Sequence, residues 1–221
     1  MFKSWGGIER HKKMLGVNLD GSATIDLASS QLQIIEDTEL LRLGEKIELV
    51  LVSMGYKLTT EIFDTITYHF NELENREEPN KEPLDNLDTL FSQMPFPYFI
   101  DSLQKPDRKT GVMKQYTWFQ VCVNERVKFF MKNFANTLTE MEDGILYGYP
   151  ISAIRAFARL TDVTEKCPTS VERYYVGAGR PSVVFYEEEE AHYRQIWNKL
   201  RQISPCLIQH AEEGYRHRSN R

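Results

Sequence analysis

QYTWFQVCV, residues 115–123, is the most strand-like stretch in the chain. Its Thr, Val and aromatic residues suit a pleated, half-buried surface. Apolar and polar positions partly alternate, as a strand buried on one face requires. Cys122 falls among hydrophobic neighbours and reads as a small core residue. Any sheet must be completed from weaker segments, SVVFY (182–186) and RYYV (173–176).

Outward from that strand the periodicity is helical. Asn124 is placed to cap a helix in which Val127, Phe130, Met131, Phe134 and Leu138 share one face. Upstream, Leu40, Leu43, Ile47, Val50, Leu51 and Met54 form another such face, with Gly55 as its stop. Thr59 or Thr60 then caps a third helix carrying Ile62, Phe63, Ile66, Phe70 and Leu73, which predicts a helical hairpin over residues 30–75. Residues 72–86 are charged, hold two prolines and read as an exposed linker. LDTLFSQM (87–94) suggests a short helix. Pro95 and Pro97 exclude a helix interior through PFPYFI, and KPDRKTG (105–111) reads as a turn. Glu187 opens a helix with Tyr193, Ile196, Trp197, Leu200 and Ile203 inward. Ser204-Pro205 ends or kinks it, and a last helix covers 207–216 before a frayed tail. Residues 1–30 read as loop. The expectation is one mostly helical α+β domain over 1–221, with its main α+β part at 87–216, six to seven helices and two to four short strands.

Composition narrows the function classes. A net charge of -5 disfavours a whole-molecule nucleic-acid footprint. The longest apolar run, IELVLVSMGY (47–56), is too short to span a membrane and holds Glu48. No secretory signal is recognisable at residues 1–13, so the expectation is a cytoplasmic protein. Cys122, Cys167 and Cys206 are odd in number, widely spaced and without a C-x-x-C pair, which indicates reduced thiols.

DGILYGYPISAIRAFARL (143–160) is the densest cluster of unusual residues. Pro150 suits the first turn of a helix, and Gly148 points to a positive φ or a close backbone approach. As a site, the turn offers Tyr147, Gly148 and Tyr149, with Arg155 or Arg159 to meet an anion at the helix start. As structure, it is a tight turn with two tyrosine anchors, and this is the favoured reading. YGYPISAIRAF resembles the Gly-Tyr-Pro turn of uncharacterised prokaryotic protein families. The resemblance covers only residues 147–157. It has Ser152 and Ala153 where a cysteine pair occurs in that form, and it implies no activity.

Gly177, Gly179 and Arg180 form a second candidate loop, able to meet a phosphate or carboxylate. Glu189 and His192 have Glu-x-x-His spacing, but no second copy exists, and a run of Glu at a helix start is favourable by itself. His69 with Glu72 and His210 with Glu213 have the reversed order. No metal site or identifiable cofactor is predicted. No nucleophile elbow or phosphate loop occurs, and Asp101, Asp107, Glu142 and Asp143, in or beside loops, could be acid–base groups but stand no higher than other surface carboxylates. The leading expectation is a non-enzymatic interaction or adaptor module with a protein partner or a homo-oligomeric state, presenting Met94, Phe96, Tyr98 and Phe99 as an exposed patch. The alternative is an enzyme, or a small-molecule or anion binder, with its pocket between the Tyr147–Pro150 turn and the Gly177–Arg180 loop.

Overall fold

The computed structural model describes residues 24–64, 82–106, 113–150, 152–154, 170–177 and 185–219. The elements in chain order are α1 (Ser29–Asp37), α2 (Leu43–Ser53), β1 (Thr59–Asp64), α3 (Glu82–Ser92), β2 (Tyr98–Pro106), β3 (Met113–Cys122) and α4 (Glu125–Phe134). A 3-10 turn (Ala135–Thr137) leads to α5 (Glu140–Leu146), α6 (Val171–Val176), α7 (Tyr186–Ile203) and α8 (Pro205–Ser219). The α+β class is as expected, with more helices among the described residues than the periodicity suggested.

The 115–123 stretch is the centre of the sheet. The strand order is β1-β3-β2, antiparallel throughout. Ile62 and Ile100 both pair with Phe119, so they share one sheet face with it. On that face Phe91 of α3 stacks on Phe119 at 5.2 Å and meets Tyr98 at 5.4 Å. Thr59, Glu61, Gln120 and Cys122 point to the opposite face.

Helix α2 is the core of the molecule. Leu49, Val50, Leu51 and Val52 are all fully buried, so the helix is enclosed on every side rather than on one stripe. It touches β1, α1, α6 and α8. Gly55, at φ 73°, reverses the chain after it. The described part of the predicted hairpin partner is a strand, not a helix. Residues 59–64 form β1, because Thr59 and Thr60 are β-branched and lie against β3, where Thr59 Oγ1 donates to Val121 O at 2.8 Å. Ile66, Phe70 and Leu73 lie outside the described residues. The expected linker is also shortened, since residues 82–86 already belong to α3.

RYYV is helical rather than extended. Ser170 Oγ accepts the Arg173 N–H at 3.1 Å and starts α6, a cap signal that overrides the β propensity of the tyrosines. Of SVVFY, 182–184 lie outside the described residues, Phe185 precedes α7 and Tyr186 begins it. The tail is not frayed where described, because α8 continues through Ser219. Ser204 separates α7 from α8: its Oγ accepts the Leu207 N–H at 3.3 Å and donates to Glu36 at 2.5 Å.

The glutamate run is only half solvated. Glu187 and Glu188 are exposed, whereas Glu189 and Glu190 are buried against Arg173. Arg173 Nε donates to Glu190 at 2.6 Å, and a longer contact of 3.5 Å reaches Glu189. This ion cluster ties α6 to α7.

Candidate functional site

The Gly148 turn is a clamp. Gly148 has φ 76°, and a Cβ there would stand 2.0 Å from the Tyr56 carbonyl oxygen. Leu58 N–H donates to Leu146 O at 2.8 Å, so the turn is stitched to the start of β1. Tyr147 donates its hydroxyl to Glu61 at 2.7 Å, and Gln120 reaches both Thr59 Oγ1 at 2.7 Å and the Tyr147 hydroxyl at 3.4 Å. Tyr149 lies beside Lys57, whose Nζ is 5.5 Å from the ring centroid and pairs with Glu48 at 2.6 Å. Pro150 O accepts the Ile154 N–H at 3.0 Å, the helical start its sequence suggested.

The electrostatics of this network are those of half-buried acids. Burial raises the Glu61 carboxyl above the usual carboxylate range. The Tyr147 hydrogen bond opposes that rise, while Asp143 and Asp101 add to it. Burial also raises Asp143, and it pushes the Tyr147 and Tyr149 hydroxyls up. The Cys122 thiol is pushed up to about 12, chiefly by burial, and stays protonated next to Thr59 at 3.4 Å. Cys206 is free and exposed, with Sγ 3.8 Å from His210 Nδ1.

Four of the predicted site residues lie in the described structure. Tyr147, Gly148 and Tyr149 belong to the clamp. Gly177 ends α6, with its N–H on Arg173 O at 2.9 Å. Arg155, Arg159, Gly179, Arg180, Asp107, Cys167 and His69 lie outside the described residues. Glu142 closes a capping box with Thr139, and Asp101 lies in β2. Glu189 is engaged by Arg173. No group of three or more His, Cys, Asp or Glu among the described residues is placed to hold a metal ion.

The expected aromatic patch is not exposed. Met94 and Phe96 are buried, and Tyr98 and Phe99 are half-buried against the core. Phe91 and Phe119 supply the apolar bed that the sequence did not assign to them. Exposed large apolar residues include Ile100 and Leu103 on β2 and Phe129 and Phe134 on α4, a helix that touches β2; Leu40, Tyr174 and Ile203 are exposed elsewhere. The last seven residues of β2 are all exposed. No described strand pairs with its outer edge.

A second feature is an open cleft of about 860 Å³ lined by Ile25, Leu27, Leu32, Met54, Tyr56 and Lys199, among others. The Tyr56 ring lies under Lys199 Nζ at 5.1 Å, while its carbonyl faces Gly148. Neither Tyr56 nor Lys199 stood out in the sequence. An isolated Lys on the polar side of an amphipathic helix carries no signal until the fold brings an aromatic ring beneath it.

No described helix is long and apolar enough to cross a membrane. Comparison with protein-family models, curated proteins and solved structures finds no significant match.

Proposed function

We propose that the chain is a non-enzymatic protein-interaction module of the cytoplasm, and that its interaction surface is the outer edge of β2 together with the exposed phenylalanines of α4. The carrying observation is the exposed strand edge. Residues 100–106 are all exposed, and Ile100, Leu103, Phe129 and Phe134 keep 48%, 51%, 64% and 45% of their surface in water. An edge that pairs with no described strand offers a row of N–H and C=O groups to another strand, and the apolar side chains supply contact area. The free thiols of Cys122 and Cys206 support a reducing compartment.

The test is a photo-crosslinking amino acid at Gln104, with Glu213 on α8 as the exposed control. Adducts of defined mass at Gln104 and none at Glu213 support the reading. Equal labelling at both positions, or no adduct at Gln104, overturns it.

A second reading is small-molecule or anion binding, favoured by the cleft beneath Lys199. A concave, mostly apolar site suits an amphipathic ligand, with Lys199 to meet an anionic group and Asp26 also in the lining. Anilinonaphthalene sulfonate tests it. Saturable binding that Lys199→Gln weakens supports this reading, and binding indifferent to that change removes it.

A further inference from the structure

Resting on the interaction reading, we infer that the partner of the β2 edge is a second copy of the same strand, paired antiparallel about Leu103. Backbone parity comes first. Cys122 N–H donates to Pro97 O at 2.8 Å, and Tyr98 faces Val121. Odd-numbered residues of β2 therefore turn their backbone groups toward β3, and Ser102 and Gln104 turn theirs outward. The outward Ser102 N–H is held by the Asp101 carboxylate at 2.8 Å, a side-chain cover of the kind that protects a free edge.

Register follows from side chains. Asp101, Leu103 and Lys105 alternate onto one sheet face. When two copies run antiparallel with Leu103 opposite Leu103, Asp101 of each copy stands opposite Lys105 of the other. Ser102 then stands opposite Gln104, so the outward amides meet as hydrogen-bonded pairs. The pairing replaces the Asp101 cover with an inter-copy amide bond and releases the carboxylate toward Lys105. Lys105 Nζ rests 4.4 Å from the Tyr116 ring centroid, on the face where that carboxylate arrives. Pro106 donates no hydrogen bond and limits the pairing at its end. A two-strand junction buries less than a standard interface, so the dimer is concentration-dependent.

The test is sedimentation equilibrium of the full chain from low micromolar to submillimolar concentration. The expected result is a mass rising from 25.9 kDa toward twice that value. Asp101→Lys places like charges opposite one another twice, weakening the dimer about tenfold or more. Asp101→Lys combined with Lys105→Asp restores it to within about threefold of the original. Gln104→Pro removes an outward N–H without touching the β3 ladder and leaves a monomer with unchanged far-ultraviolet circular dichroism. A monomer at every concentration overturns self-pairing. A dimer indifferent to the Asp101→Lys change also overturns it. The crosslink at Gln104 separates the two levels: an adduct of twice the chain mass supports self-pairing, an adduct of another mass overturns self-pairing but keeps the interaction reading, and no adduct overturns both.

Discussion

Strands β1 and β2 flank the same central strand, yet Thr59 and Thr60 are buried whereas seven consecutive residues of β2 are exposed. The β1 side is sealed by α2 and by the Gly148 clamp, with hydroxyl and amide groups paired internally. The β2 side keeps its backbone groups at the surface and covers one of them with Asp101. The difference lies in burial of the strand's residues, since β1 and β2 are both outer strands of the described sheet. On the proposed reading, the open edge is where a partner strand would add.

The largest expected effects fall away from the open edge, in the Gly148 clamp and in the ion cluster between α6 and α7. Gly148→Ala is expected to cost about 3 kcal/mol or more, because it combines a positive φ with a clash against the Tyr56 carbonyl. Arg173→Ala is expected to cost about 3–5 kcal/mol by leaving Glu189 and Glu190 buried without their cation. Urea unfolding measures both, and a loss under about 1 kcal/mol for either would show that its region is not the sealed frame described. On the open side, Leu103→Ser is expected to stay within about 0.5 kcal/mol in dilute solution. A large loss there would mean that the edge is covered within the monomer and would erase the contrast.

A smaller effect sharpens the comparison through pH. The Glu61 carboxyl is raised in the folded protein, so over the window between its ordinary value and its raised one the native state binds more protons than the unfolded state. Stability therefore falls as pH rises through that window and is flat above it. Glu61→Gln keeps an acceptor for Tyr147 and removes the titration, so thermal melts of the variant should be flatter over the same range. An unchanged slope would assign the effect to Asp143 or another carboxylate. Thr117→Val is expected to raise stability by about 1 kcal/mol, because Thr117 Oγ1 is buried without a hydrogen-bond partner among the described residues.

Much of the frame was legible in the sequence because it rests on local rules. The β-branched and aromatic run at 115–123 is the central strand. Asn124 caps α4 through the Val127 N–H at 2.9 Å, Gly55 and Gly148 carry positive φ, and Ser204-Pro205 divides two helices. The errors came from rules that compete. Ile62 and Phe63 fit a helical stripe with residues beyond them, but Thr59 and Thr60 sit against β3, and strand pairing prevailed. RYYV has strand-forming side chains, but Ser170 caps a helix. MPFPYF was too aromatic and proline-rich for its burial to be foreseen, because Phe91 and Phe119 come from distant segments. The β2 edge was missed because Asp101, Leu103 and Lys105 are ordinary residues that acquire meaning only once the strand is known to lie at the border of the sheet.

Residue-resolved amide exchange of β2, measured in dilute and in concentrated protein, tests the open edge most directly. Leu103, whose amide faces β3, should exchange slowly at both concentrations. Ser102 and Gln104, whose amides face outward, should exchange faster in dilute solution and slow markedly on concentration. Equal and unchanging protection at Ser102, Leu103 and Gln104 would contradict the account, because the outer edge would then be closed within a single chain.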